Sequence, residues 1–392
     1  MRLRALVDPA VLPAYATSAG RMARRAIRGQ VRHPGKAAAI LQAVVASCWD
    51  GRRFVASGGH FRQFWTRDFG FSAPALVRLG EGARVDATLD WALGSWSRQG
   101  RVTTTIFARD RPADVWDYGV DSLPLLLRAL RAAPAGELLV ARHGALLAAE
   151  VRRFGEVVTE PADGRVRSGR RFSTHRDTVR TGANAYGHAM VALLERELRE
   201  TGWFPLPFPA GAADRLVAAF WRGDHFAEGR TGSRDEDLVT GDANVVPFWL
   251  RVVPDDLGAG PMLARLEAEG LAQPIPLRYA ARRSRREDRL QGAFLPDYQG
   301  TATWTSLGAM TLDVMDRVGA SATALAVDRY VALVEQDGTL WEALGDDLQP
   351  YRGRLGLWRA DEAMLWGAIL LDVLLRRAAS PAVPAPDVAP QA

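Results

Sequence analysis

Six times along the chain a short polar and aromatic stretch runs straight into an apolar segment of helical length. The first is Phe64-Trp65-Thr66-Arg67-Asp68-Phe69-Gly70-Phe71, which opens the segment 71–79. Gly80 follows it and can close a helix in the left-handed conformation. The second mouth is Asp114-Val115-Trp116-Asp117-Tyr118-Gly119-Val120-Asp121-Ser122, ahead of 123–130. Thr181-Gly182-Ala183-Asn184-Ala185-Tyr186 precedes 187–198, and Thr240-Gly241-Asp242-Ala243-Asn244 precedes 245–252. Asp297-Tyr298-Gln299-Gly300-Thr301-Ala302-Thr303-Trp304 opens 306–318, and Leu357-Trp358-Arg359-Ala360-Asp361-Glu362 opens 363–375.

These units recur roughly every 50 to 65 residues, and an amphipathic segment lies between successive ones. Those partners are predicted at 36–48, 85–97, 138–154, 212–221, 261–269 and 322–336. Leu89, Leu93 and Trp96, at helical spacing, mark one of them. A helix apolar nearly all round belongs inside a fold, and one with a single apolar face belongs outside it. The pattern therefore predicts an all-α, single-domain (α/α)6 toroid, six inner and six outer helices, with every inner mouth facing one funnel. Short loop hairpins are expected only near 101–107 and 274–279. The toroid is expected over 36–378, after an arginine-rich surface extension, 1–35, and before a disordered Pro/Ala-rich tail, 379–392.

Composition narrows the function. Of 392 residues, 48% are apolar, enough for a large core. The net charge is only +5, and Lys36 is the sole lysine. No basic run is interleaved with stacking aromatics, so no nucleic-acid partner is expected. A single cysteine, Cys48, excludes an intramolecular disulfide and a cysteine-based zinc site, and fits a reducing, cytoplasmic setting. Val45-Ala46-Ser47-Cys48 after Arg24-Arg25 has the look of a lipoprotein cleavage site, yet its apolar run is short and contains Gln42. No run has the length of a membrane-spanning helix, and no membrane partner is expected.

The funnel would gather Asp68, Asp117, Asp121, Asp177, Asp242, Asp297, Glu342 and Asp361 with Trp65, Trp116, Tyr118, Tyr186, Trp304, Trp341 and Trp358. Carboxylates that accept bonds from hydroxyls, beside aromatic faces, suit a small carbohydrate. Asp242 and Asn244 read equally as ligand contacts or as caps of their helix.

The stretch 64–80 resembles the aromatic-x-Arg-Asp motif of the six-hairpin glycosidases, the (α/α)6-barrel superfamily of neutral/alkaline invertases, trehalases, glucoamylases and debranching-enzyme glucosidases. That resemblance implies that Arg67 and Asp68 hold a sugar, and Val120-Asp121-Ser122 is similar to a second binding motif of the invertases. In these families the general acid lies in the loop before the third inner helix. Here that loop reads Ser173-Thr174-His175-Arg176-Asp177-Thr178-Val179-Arg180, which implies Asp177. The base is a glutamate in an aromatic-x-Glu-x-Tyr stretch before the last inner helix. Trp341-Glu342-Ala343-Leu344 occupies that place, with Leu344 where the tyrosine often stands, which implies Glu342. The expectation is an inverting glycoside hydrolase acting on a small α-glucoside and needing no cofactor. Rival readings on the same toroid are a sugar epimerase using His175 and His188, a phosphorylase, a terpenoid cyclase and a silent glycan-binding barrel. Asp255-Asp256 and Asp346-Asp347 match neither cyclase motif.

Overall fold

The computed structural model describes residues 12–115, 117–176, 183–229, 238–283, 289–356 and 358–379. The described chain is mostly helical. Helices α1 (Leu12–Arg28) and α2 (Ala37–Ser47) precede the first mouth. After it come α3 (Thr66–Arg78), α4 (Gly82–Gln99), α5 (Ser122–Ala132) and α6 (Gly136–Val158). The middle of the chain supplies α7 (Ala185–Thr201), α8 (Ala212–Phe220), α9 (Gly241–Trp249) and α10 (Ala259–Ala268). Last are α11 (Arg289–Phe294), α12 (Thr305–Arg317), α13 (Thr323–Asp337) and α14 (Gly367–Ala379).

The helices that follow the mouths pack in a closed circuit. Each of α3, α5, α7, α9, α12 and α14 lies against the next, and α14 returns to α3. Behind them sit α4 against α3, α6 against α5, α8 against α7, α10 against α9, α13 against α12 and α2 against α14. Burial separates the two tiers as their apolar patterns require. Every residue of α9 is buried, whereas α10 buries only Ala259, Met262 and Leu266, and α8 only Ala212, Leu216 and Phe220, one stripe each. Among the described residues no helix is long and apolar enough to cross a membrane.

The helix starts differ from the sequence-based expectation in one consistent way. Arg67 and Asp68 lie in the first turn of α3, and Asp242 and Asn244 in the first turn of α9, so those mouths are themselves helical. Two of these starts share a device. Strand β1 (Phe64–Trp65) runs directly into α3, with Trp65 extended at the N-cap and Thr66 at the first helical position. The Thr66 hydroxyl donates to the Thr103 carbonyl at 2.7 Å, and its N–H to the Thr104 carbonyl at 2.9 Å. Trp304 and Thr305 repeat this at α12: the Thr305 hydroxyl donates to the Trp341 carbonyl at 2.5 Å, and its N–H to the Glu342 carbonyl at 3.3 Å. Backbone donors left over at a helix start are thereby paired with the neighbouring loop.

The last helix, by contrast, starts later than residue 363. Residues 361–366 form bonds across the mouth instead, Met364 N–H to Leu340 and Leu365 N–H to Ala56. The first expected hairpin lies further along, β2 (Thr105–Phe107) against β3 (Arg111–Ala113), and β1 joins β2 to make an antiparallel three-stranded sheet. No strand forms at 274–279, where Arg278 makes an isolated bridge to Thr303. The remaining pair is β4 (Thr303–Trp304) with β5 (Ala343–Leu344), in register Trp304 to Ala343. The extension expected at 1–35 contains α1, and the chain after it is tied down by the Val31 N–H on Glu362 at 2.9 Å and the His33 N–H on Gly338 at 2.8 Å.

The closest approach in the circuit is α3 to α5. A Cβ on Gly70 would lie 2.6 Å from the Leu125 Cβ and 2.9 Å from the Leu125 carbonyl oxygen. Gly70→Ala is therefore expected to destabilise the protein by about 1–3 kcal/mol through overpacking, read as a lower urea midpoint. An unchanged midpoint would mean that α3 and α5 can part without cost.

Candidate active site

Glu342 lies at the base of the last mouth, buried, just before β5. Its Oε1 accepts the Tyr298 hydroxyl at 2.5 Å, and its Oε2 accepts the Asp361 N–H at 3.1 Å. Burial pushes its pKa up to about 8, helped by the charges of Asp361 and Asp68, while the two hydrogen bonds pull the other way. Asp361 differs. Burial opposes its charge too, but His60, the Ser57 hydroxyl and the Phe61 N–H hold it below the ordinary carboxylate range. Two carboxyls in contact through one N–H thus titrate apart.

Asp361 was expected to meet substrate, but its oxygens are occupied by the protein. Oδ1 accepts from the His60 N–H at 2.9 Å, the Glu362 N–H at 2.9 Å and Arg25 Nη1 at 3.2 Å, and lies 2.9 Å from His60 Nδ1. Oδ2 accepts from the Ser57 hydroxyl and from the Phe61 N–H at 2.8 Å. The residue works as a knot between the 57–61 loop, α1 and the mouth of α14.

A second group joins α3, α5 and α7. Arg67 Nε donates to Asp121 Oδ2 at 2.5 Å, and the Tyr186 hydroxyl donates to the same oxygen at 2.8 Å. Asp121 Oδ1 is buried without a partner among the described residues. Asp242 Oδ1 is likewise buried and unpartnered, and burial raises the Asp242 pKa against the pull of the Arg176 charge. Arg176 is itself buried, donating from Nη1 to Glu228 at 2.8 Å and from Nε to the Gln299 carbonyl at 3.0 Å. His175 is enclosed by Phe71, Tyr186, Tyr279 and Trp304, with ring centroids 5.3–6.1 Å away. Burial, then the charges of Arg67 and Arg176, hold its pKa well below the usual histidine value, so the ring is neutral.

The aromatic residues divide by depth. Trp65 and Trp358 are half-buried: Trp65 packs on Phe107 and Val115, and Trp358 on His60, Phe61 and Tyr298. Trp304 is deeper, donating to the Tyr298 carbonyl at 2.6 Å. Trp341 is turned into the scaffold, bonded to Asp337 at 2.9 Å under the Arg359 guanidinium. Tyr118 lies against Arg153 of α6 and against Phe172. Asn244 neither caps α9 nor presents a free amide, because its side chain bonds Phe226 N–H at 2.7 Å and the Phe226 and Thr240 carbonyls at 3.0 and 2.8 Å.

Asp297 pairs with Arg283 at 2.6 Å in a half-buried turn, and Asp117 is exposed, so neither joins the fully buried groups. His188 packs on Phe220 of α8 and bonds the Asn184 carbonyl and the Val166 N–H. Asp177 and Trp116 lie outside the described residues. The chain on either side of Asp177 is anchored, by Arg176 on one side and on the other by Asn184, whose Oδ1 accepts the Gly187 N–H at 2.8 Å.

Tyr298, Ser57, His60 and Glu228 were not singled out as site residues from the sequence. Tyr298 does stand in a mouth, but nothing in linear spacing joins it to a glutamate 44 positions on. Arg25 falls in what reads as an extension.

No family model matches the chain, and no curated protein matches it. Solved structures do. A glycosidase variant in complex with glucose superposes over 87% of this chain and 95% of its own, with TM-score 0.63 and 16% identity. The mannosylglycerate hydrolase of Thermus thermophilus, in complex with Tris and D-glycerate, covers 87% of this chain and 100% of its own, with TM-score 0.59 and 15% identity. An uncharacterised conserved protein of the same organism gives TM-score 0.58 at 13% identity over 87% of this chain and 100% of its own.

A stability test isolates the raised pKa. Glu342 binds its proton more tightly folded than unfolded, where a glutamate titrates near ~4.3. The proton-linked stability is full below that value and is lost as pH climbs through about 8. Glu342→Gln removes the titration. The variant should match wild type in urea near pH 4 and exceed it by on the order of a few kcal/mol near pH 9. A gap of constant size across that range would refute the raised pKa. At 13–16% identity the likeness to solved structures is one of architecture, and the architecture this chain shares is that of glycosidases.

Proposed function

We propose that the protein is a glycoside hydrolase with an (α/α)6 barrel, and that Glu342 is its general base. The observation that carries this reading is the Glu342 carboxyl, held by Tyr298 and the Asp361 N–H with its pKa raised to about 8, in a fold shared with glycosidases. A base that titrates near the working pH combines proton affinity with availability. Arg67, Asp68, Asp121 and Asp242 grip sugar hydroxyls, the buried oxygens of Asp121 and Asp242 that lack a partner among the described residues being acceptors. Tyr186 orients Asp121, and Trp65 and Trp358 offer ring faces at the rim.

In the reaction Glu342 takes a proton from water as the water oxygen attacks the anomeric carbon. The bond to the leaving oxygen breaks, and Asp177 delivers the proton that oxygen needs. The outcome is inversion, as the resemblance to six-hairpin glycosidases implies. The substrate is a small α-glucoside. A second reading is favoured by Arg21, Arg25 and Arg62 beside the Asp361 knot, where burial first, and then the Arg62 charge, lowers the pKa values of Arg21 and Arg25. Such a cluster suits an aglycone bearing a carboxylate, and one structural neighbour is named for mannosylglycerate. The epimerase reading has less support, because His175 and His188 pack against different rings, Tyr279 and Phe220.

The test is hydrolysis of sucrose, trehalose, maltose, isomaltose and kojibiose together with glucosyl- and mannosylglycerate. Asp177→Asn and Glu342→Gln should each lower kcat/KM by roughly 10²- to 10⁴-fold on the accepted member. NMR of the first turnover should show the inverted anomer. No turnover across the panel, with sugars still bound, would leave a glycan-binding barrel.

The pH profile tests the role of Glu342 by its sign. As base it must be ionised, so kcat/KM should climb with pH through about 8. Full activity at pH 5–6 that disappears above about 8 would make Glu342 the acid.

A further inference from the structure

The end of the ring opposite the mouths carries a cavity of about 660 Å³. Every circuit helix reaches it near its C-terminal end, through Arg78 of α3, Arg131 of α5, Arg196 of α7, Trp249 of α9, Arg317 of α12 and Arg376 of α14. Helix C-termini attract cations, and these five arginines are each in ion pairs, with Asp372, Glu197, Glu200, Asp255 and Asp313 among their partners. That much is structural.

Two further arginines line the same cavity without a carboxylate within 4 Å among the described residues, Arg128 and Arg251. Arg128 has a local task for one nitrogen only. Pro74, inside α3, has no N–H to give the Gly70 carbonyl four residues back, and Arg128 Nη1 fills the vacancy at 2.9 Å, with the Phe71 carbonyl at 3.3 Å. Its guanidinium lies 4.7 Å from the Trp249 ring. Nε and Nη2 bond nothing in the described chain, and the side chain lines the cavity. Burial lowers the Arg128 pKa to about 9, with the charges of Arg196, Arg78 and Arg131 adding to the shift and that of Glu197 opposing it. Arg251, exposed just past α9, holds φ +56°, a conformation that costs a non-glycine residue about 1–2 kcal/mol.

We propose that this basin is an anion site, separate from the sugar-binding mouth, for a compact phosphomonoester. Arg128 and Arg251 supply two guanidiniums that no carboxylate contacts directly among the described residues, in the fork geometry that phosphate oxygens accept. Phe71, Pro74, Trp249 and Ile369 give the organic part of the ligand an apolar wall. The site stands whether or not the mouth hydrolyses glycosides.

Thermal unfolding and calorimetry with inorganic phosphate and with glucose 6-phosphate, at ionic strength matched by sodium chloride, test the proposal. Wild type and Glu342→Gln should both be stabilised saturably, the sugar phosphate binding more tightly than phosphate. Arg251→Ala should weaken both ligands tenfold or more, and Arg128→Met should abolish them. If Arg128→Met fails to fold, for want of a donor to Gly70, Arg251→Ala decides alone. Stabilisation equalled by chloride, or phosphate affinity unchanged in Arg251→Ala, would overturn the site.

Discussion

The mouth of this protein depends on a buried carboxyl held against a buried carboxylate. Taking Glu342 and Asp361 out of water is costly, and placing them in contact adds repulsion. The structure resolves the conflict by unequal partnership. Asp361 receives Ser57, His60, Phe61, Glu362 and Arg25, enough donors to stay ionised. Glu342 receives one hydroxyl and one N–H and retains its proton to about pH 8. Because the donors to Asp361 come from α1, the 57–61 loop and the α14 mouth, the chemistry of one carboxyl is tied to distant parts of the chain.

The scaffold reaches that arrangement through the Trp-Thr starts of α3 and α12. Each threonine fixes its helix end to a neighbouring loop, and the loop fixed by Thr305 is the one that carries Glu342. Trp366 donates to the same Thr305 hydroxyl at 2.9 Å, so the start of α12, the segment that carries Glu342 and the entry to α14 share one oxygen. Position at the mouth is thus set by backbone hydrogen bonds between adjacent units of the ring, not by the side chains that would face a sugar.

This explains which parts could be read from the sequence. Apolar periodicity exposes helices whatever their partners, so the alternation of all-round and one-sided segments, and the order of mouths, were legible in advance. Helix starts were not, because Arg67, Asp68 and Asp242 are polar and look like loop while occupying first turns. Polar residues in a mouth also looked alike. Asn244 and Trp341 are committed to backbone and Asp337, whereas Asp121 and Asp242 each keep a buried oxygen without a partner among the described residues. That distinction lies in contacts between units tens of residues apart. Tyr298 and Arg25 were missed for the same reason, one bonding across 44 positions and the other across 336.

Since the six circuit helices run in the same sense, their dipoles add into a polarity along the ring. N–H groups crowd the mouth end and carbonyls the far end. At the mouth, that field favours ionised carboxylates and opposes protonated ones, so the raised pKa of Glu342 arises against the helix field and must come from burial and from Asp361 and Asp68. At the far end the field favours cations, and five arginines with carboxylate partners already answer it. Two more guanidiniums exceed what the helix ends require, and one of them takes a backbone conformation that few residues other than glycine tolerate. Helix polarity thus accounts for where most of the arginines gather, Pro74 accounts for one nitrogen of Arg128, and the proposed anion gives the remaining charge of Arg128 and Arg251 a partner.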